Sequence, residues 1–155
     1  MSDKDFLLRA VKLAEDGIEK GGGPFGAVIV RNNEIISEAN NMVIKSSDPT
    51  AHAEIVAIRL ASKILNTHDL SNCKLYSSCE PCPMCLGAIY WSGIKTVYFA
   101  ADRKDAASAG FNDKFIYDEI SLPADERDIK FCKLPEVDGT VVFRKWDSFE
   151  NKIPY

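Results

Sequence analysis

The pentapeptide Pro81-Cys82-Pro83-Met84-Cys85 restricts what this chain can fold into more than any other stretch of it. Proline is favoured at the first position of a helix, so Pro83 sets Cys82 near the N-cap and Cys85 within the first turn. Residues three apart on a helix are neighbours, with Cβ atoms roughly 5–6 Å apart. Two thiolates on one tetrahedral zinc, each about 2.3 Å from the metal, must come to about 3.8 Å of one another. The spacing suits a single metal ion. The helix dipole and the free backbone N–H groups at that end also lower the cost of deprotonating the thiols.

A metal site needs further ligands, and the natural candidate is His52, at the opening of another helix in Thr50-Ala51-His52-Ala53-Glu54. The chain has two histidines, and the other, His68 beside Asp69, reads as solvated surface. His52 and Glu54 are two residues apart, so inside a regular helix their side chains diverge by about 200°. Both serve one site only if that site lies off the end of the helix. The expectation is that two helix N-termini converge on the metal. With His52, Cys82 and Cys85 as protein ligands the fourth position stays open for water, the mark of a catalytic zinc. Glu54 then passes a proton from that water to a leaving group. Three other readings stay open on the residues alone. C-x-x-C is also the spacing of a redox pair, and Cys79-x-x-Cys82-x-x-Cys85 resembles part of an iron–sulfur run, although Ile89 stands four residues past Cys85 where a further cysteine would fall. A structural zinc with Cys79 as fourth ligand leaves Glu54 idle, and a redox pair leaves both His52 and Glu54 unexplained.

The rest of the chain reads as one domain over residues 1–155, 46% apolar and 27% charged, with no repeat or linker to divide it. No apolar run approaches the ~20 residues of a membrane span. The polar start Met1-Ser2-Asp3-Lys4-Asp5 shows no secretory signal, so a cytoplasmic protein is expected. Nineteen Lys plus Arg against 23 Asp plus Glu, a net charge of −4, argue against nucleic acid as the partner, since phosphate binding draws on a basic excess. Five cysteines, an odd number, argue against a disulfide framework. Cys73 and Cys132 read as buried small residues at strand edges.

Ser2-x-x-Asp5 resembles a capping box, and Phe6, Ala10, Ala14 and Ile18 give a first helix its apolar face. Gly21-Gly22-Gly23-Pro24 ends it. Ala27–Val30 and Glu34–Ala39 around Asn32-Asn33 predict a β-hairpin, and residues 40 to 50 a loop. Asp48-Pro49-Thr50 opens a second helix that runs to about Lys63. A strand at Lys74–Ser78, a helix at Pro83–Ser92 stopped by Gly93, and a strand at Lys95–Ala100 follow. Beyond Asp102 the pattern predicts helical turns near 104–109, 115–120 and 143–150 and a strand near Lys130–Leu134. Strands alternating with helices imply a three-layer α/β domain.

His52-Ala53-Glu54 followed by Pro81-Cys82-Pro83-Met84-Cys85 resembles the H-x-E…P-C-x-x-C signature of the zinc-dependent cytidine and deoxycytidylate deaminase superfamily. Within it the chain is similar to the bacterial guanine deaminases. Gly23-Pro24-Phe25-Gly26-Ala27-Val28, Asp48 to Glu54 and Ser78 to Trp91 carry the likeness, and Ala109-Gly110-Phe111-Asn112-Asp113 with Tyr155 points to guanine. The resemblance implies an α/β/α sandwich around a mixed five-stranded sheet. It implies one zinc per subunit and a homodimer whose C-terminal segments cross over to complete each other's sites. It also implies that a zinc-activated water adds to guanine C2, with Glu54 as proton shuttle, so that ammonia leaves and xanthine remains. Phe25 would stack on the purine, and Asn41 and the backbone around Ala53 would hold polar edges of the ring. Asp113 and Tyr155 would meet the 2-amino group, and Trp91 would line the pocket. On local grounds Phe25 and Asn41 are also plain turn residues, Asp113 a helix cap, Tyr155 a frayed terminus, and Trp91 helix core. The nearest rival is a tRNA adenosine deaminase; deaminases of guanosine, cytosine compounds or amino-triazines resemble the chain as well. A rival of another class is a zinc module without catalysis.

Overall fold

Gly26–Arg31 (β1) is buried along almost its whole length, as a strand covered on both faces must be. In this computed structural model, which describes residues 1–155, β1 lies second in a four-stranded sheet of order β2-β1-β3-β4. Glu34–Asn40 (β2) and Lys74–Cys79 (β3) flank it antiparallel, and Thr96–Ala101 (β4) runs parallel to β3. The sheet is mixed, as expected. The hairpin turns at Asn32 and Asn33, both at positive φ (52° and 65°), a conformation asparagine tolerates and a two-residue hairpin requires. The register slips between Ile29 and Val30, a bulge.

Alternation along β1 builds two cores. Val28 and Val30 meet Phe6, Ala10 and Tyr76 on one face, where Asp3–Glu19 (α1) packs, its N-terminus closed by the Ser2–Asp5 capping box. Ala27 and Ile29 meet Ala53, Ala57 and Ala61 of Ala53–Leu65 (α3) on the other. Pro83–Trp91 (α4) contributes Ile89 to that same core. The run of alanines lets α3 approach the sheet closely. Gly26 does the same for α1, since a Cβ there would stand 2.2 Å from the Ala10 carbonyl oxygen.

Several expectations are corrected. The sheet has four strands rather than five, because Lys130–Leu134 is not a strand. A strand exists only in a ladder, and residues 118–155 hold no second strand to pair with it. Cys132, expected to be buried at that strand's edge, is accordingly exposed. The stretch read as a loop contains a one-turn helix, Val43–Ser46 (α2), stopped by Ser47 in the left-handed region. The helix expected to open at Asp48 starts at Ala53, because Asp48 turns its carboxylate onto the N–H and hydroxyl of Thr50 instead.

The chain forms two compact units, 1–117 and 118–155. Arg103–Ser108 (α5) and the start of Asp113–Ser121 (α6) complete the first. The second holds the end of α6, a short 3₁₀ turn at Ala124–Glu126 and Val141–Ser148 (α7), with no buried residue. No helix is long and apolar enough to cross a membrane.

Candidate metal centre and its cavity

Two helix ends meet as the spacing predicts. His52 is the N-cap of α3 and Cys82 the N-cap of α4, both in extended backbone. That half-in conformation frees His52 from the helical rotation, so it and Glu54, the second residue of α3, reach one site. Pro83 stands at the start of α4, and the Cys85 N–H donates to Cys82 Sγ at 3.5 Å. His52 Nδ1 lies 3.5 Å from Cys82 Sγ and 3.6 Å from Cys85 Sγ. A tetrahedral zinc with bonds of about 2.3 Å to sulfur and about 2.05 Å to nitrogen needs these atoms about 3.6 Å apart. The three ligand atoms all fall within 4.8 Å of one another. The residues present fit zinc.

Cys79 lies outside this cluster. It is buried at the end of β3, its S–H donates to the Asp102 carbonyl, and burial pushes its thiol up to about 11. The iron–sulfur spacing is therefore not assembled.

Glu54 is 5% exposed. Its carboxylate accepts from the Ser77 hydroxyl at 3.1 Å and from the Cys85 thiol at 3.5 Å. Burial pushes the carboxyl up, against the pull of these donors. The Cys82 thiol is held down by donors from Cys85 and by His52, whereas Cys85, beside the Cys82 sulfur and Glu54, is pushed up. The hydrogen bond to Cys82 raises His52. Without metal the two raised donors, His52 and Cys85, thus hold protons that a cation would displace, the expected linkage in a thiolate and imidazole site.

Above the cluster opens a cavity of about 360 Å³, whose wall includes Phe25, Asn41, His52, Glu54, Cys82 and Asp113. The Phe111 ring meets Phe25 edge-on at 4.8 Å. Asn41 is buried and its Oδ1 accepts from the Val43 N–H. The glycine run has a second use beyond ending α1. A Cβ on Gly22 would stand 2.8 Å from the Asn41 carbonyl oxygen, and one on Gly23 3.2 Å from the Asn41 side chain. Burial and the Cys82 sulfur push the Asp113 carboxyl up.

Ala53 is fully buried between the two site residues of α3. Trp91 ends α4, about 12 Å along the helix axis from Pro83; it is 73% exposed and not part of the cavity wall. Tyr155, in the second unit, is 85% exposed. Three groups at the site were not singled out as site residues: Ser77 on Glu54, and Glu80 and Phe111 in the wall. Ser77 and Glu80 flank the Cys79 end of β3, close enough in sequence to the C-x-x-C to have been suspected. Phe111 stands in the Ala109–Asp113 segment of the resemblance, where only Asp113 has an implied role.

The fold and the ligand set define a zinc-dependent deaminase domain. Residues 1–101 match the cytidine and deoxycytidylate deaminase zinc-binding region, and the chain belongs to that family. It is 54% identical to the guanine deaminase of Bacillus subtilis (strain 168) over the full length of both. The crystal structure of that enzyme superposes with a TM-score of 0.97, covering 100% of this chain and 99% of the other. A tRNA-specific adenosine deaminase of Aquifex aeolicus (strain VF5) is 48% identical over 67% of this chain and 70% of its own. A guanine deaminase from Nitrosomonas europaea matches with a TM-score of 0.68 at 34% identity, over 72% of this chain and 65% of that one.

Proposed function

We propose that the chain deaminates guanine to xanthine and ammonia with one zinc per subunit, held by His52, Cys82 and Cys85. The observation that carries this reading is the likeness to the Bacillus subtilis guanine deaminase over the whole chain. The likeness to the tRNA-specific adenosine deaminase of Aquifex aeolicus covers only 67% of the chain. The cavity's chemistry supports the same choice. Its ionisable wall includes Glu54, Glu80 and Asp113, which repel phosphate and suit a neutral base rich in N–H donors.

Zinc, when bound, supplies a Lewis acid that makes a water acidic near neutral pH. Glu54 takes a proton at its carboxylate and returns it to the departing amino nitrogen, a task that its raised carboxyl suits. The Ser77 hydroxyl aims that carboxylate. Phe25, braced by Phe111, stacks on the purine face. Asn41, whose oxygen is engaged by Val43, offers its amide N–H to a ring acceptor. The backbone at Ala53 holds a further polar edge, and Asp113 accepts from the 2-amino group.

The second unit supports a homodimer. No residue from 118 to 155 is buried, and Phe131, Phe143, Trp146 and Phe149 are exposed there. A segment with so much open apolar surface and no core of its own is covered in solution. In our reading a second copy covers it, and Tyr155 of each chain completes the other's site.

A panel of guanine, adenine, cytosine, guanosine, cytidine and tRNA, scored by ammonia release with and without a chelator, tests the activity. Guanine should be the preferred substrate, with turnover lost on chelation and restored by zinc. Ammonia from tRNA with none from guanine would overturn the substrate assignment.

A further inference from the structure

Arg103 and Tyr117, behind the cavity wall at Glu80, have no part in the chemistry above. Arg103, the first residue of α5, donates to Glu80 twice, from its guanidinium and from its backbone N–H at 3.1 Å. Its guanidinium lies 4.1 Å from the centre of the Tyr117 ring. Tyr117 in turn donates its hydroxyl to the carbonyl of Pro81 at 2.9 Å. Glu80 and Pro81 are the two residues before Cys82. Glu80 is further tied by its N–H to the Ala101 carbonyl at 2.8 Å. The loop that carries the first metal-ligating sulfur is therefore gripped on its side chain, its N–H and its carbonyl.

The other end of the grip is α6. Asp113 opens this helix and Tyr117 follows four residues later, so the two project from one face, a turn apart. Asp113 lines the cavity while Tyr117 holds Pro81. One helix thus carries both the carboxyl that we assign to the 2-amino group and the hydroxyl that ties α6 to the metal loop. Proline has no N–H, and the carbonyl of Pro81 is the acceptor in this bond. We propose that Tyr117, seated beneath Arg103, is a positioning residue: through Pro81 it sets the distance between the Cys82 loop and Asp113. This rests on the guanine deaminase reading for its effect on turnover, and on the geometry alone for its effect on the metal loop.

The test is Tyr117→Phe in the full-length, zinc-loaded protein. The ring stays beneath Arg103 and only the bond to Pro81 is lost. Release of zinc to a chelating dye should speed up about fivefold, the scale of one net hydrogen bond. The melting temperature should move little and one zinc per chain should remain. Guanine kcat should fall with KM nearly unchanged, because Asp113 is displaced rather than removed. In a double-mutant cycle Tyr117→Phe should cost less in an Asp113→Asn background than alone. Arg103→Lys, which keeps the charge on Glu80 but loses the flat guanidinium on the ring, should shift zinc release the same way by less. Unchanged zinc release in both variants, or additive losses in the cycle, overturns the proposal. If the parent protein does not turn over guanine, the substrate reading fails, while the zinc-release arm still decides whether the grip exists.

Discussion

A carboxyl 5% exposed beside a thiol and a hydroxyl is a costly thing to bury, and the Ser77 and Cys85 donors offset part of that cost for Glu54. If it is a proton carrier and not a ligand, Glu54→Gln should retain zinc and lose guanine turnover by about a thousandfold. Metal content by atomic absorption and ammonia release decide it, and loss of the metal in that variant would contradict the role. The ligand triad makes a second, pH-dependent prediction. His52 is raised by its bond to Cys82, and Cys85 is raised by the Cys82 sulfur and burial, whereas Cys82 is lowered. Zinc must displace the protons on the two raised groups, so loading the metal-free protein should release protons into a weak buffer. Apparent affinity should fall as pH falls, by about tenfold per unit for each proton released. A pH-independent affinity would show that the donors are already bare. These ligand residues were legible in the sequence because only a few side chains bind zinc and only some spacings let them converge.

At the scale of elements, glycine and proline decide how closely the parts of the site approach. Gly26 begins β1 directly after Phe25, and its N–H donates to Ser78 at 2.9 Å. With the Ala10 carbonyl 2.2 Å and the Ala14 nitrogen 2.7 Å from where a Cβ would sit, Gly26→Ala must push α1 off the sheet. It should cost about 3 kcal/mol, the upper part of the range for overpacking, read by urea denaturation of the zinc-loaded protein. A stability within about 0.5 kcal/mol of the parent would mean that α1 shifts freely. The longer helices and the four strands were readable because their periodicities and stop signals are local: the Ser2–Asp5 box, Asn32-Asn33, Pro83 and Gly93 all act within a few residues. The strand expected at Lys130–Leu134 was not formed because pairing is not local, and β-propensity without a neighbour stabilises nothing. The late start of α3 has the same kind of cause, since Asp48 closes a turn on Thr50 before a helix can begin there.

For the whole molecule the sharpest prediction concerns the second unit. If Tyr155 completes the partner's site, a chain lacking Ile153-Pro154-Tyr155 and a Glu54→Ala chain are each inactive, yet mixing them after reversible dissociation should restore activity. Random pairing puts Glu54 and a partner's Tyr155 together in about a quarter of the sites. No recovery, with a dimer confirmed by light scattering, would place the terminus in its own chain's site or outside the reaction. The sequence by itself determined which side chains are candidates for the metal, His52, Cys82 and Cys85 with Glu54 beside them, the order of most elements and the α/β class, because each rests on residue chemistry at short spacing within its own element. Only the tertiary structure decided that the sheet has four strands, that Cys79 stands apart from the metal, that Trp91 lies at the far end of its helix, and that Ser77, Glu80, Phe111 and Tyr117 gather around the site. Those facts depend on contacts between elements distant in the chain, where burial and packing, not propensity, set which side chains meet.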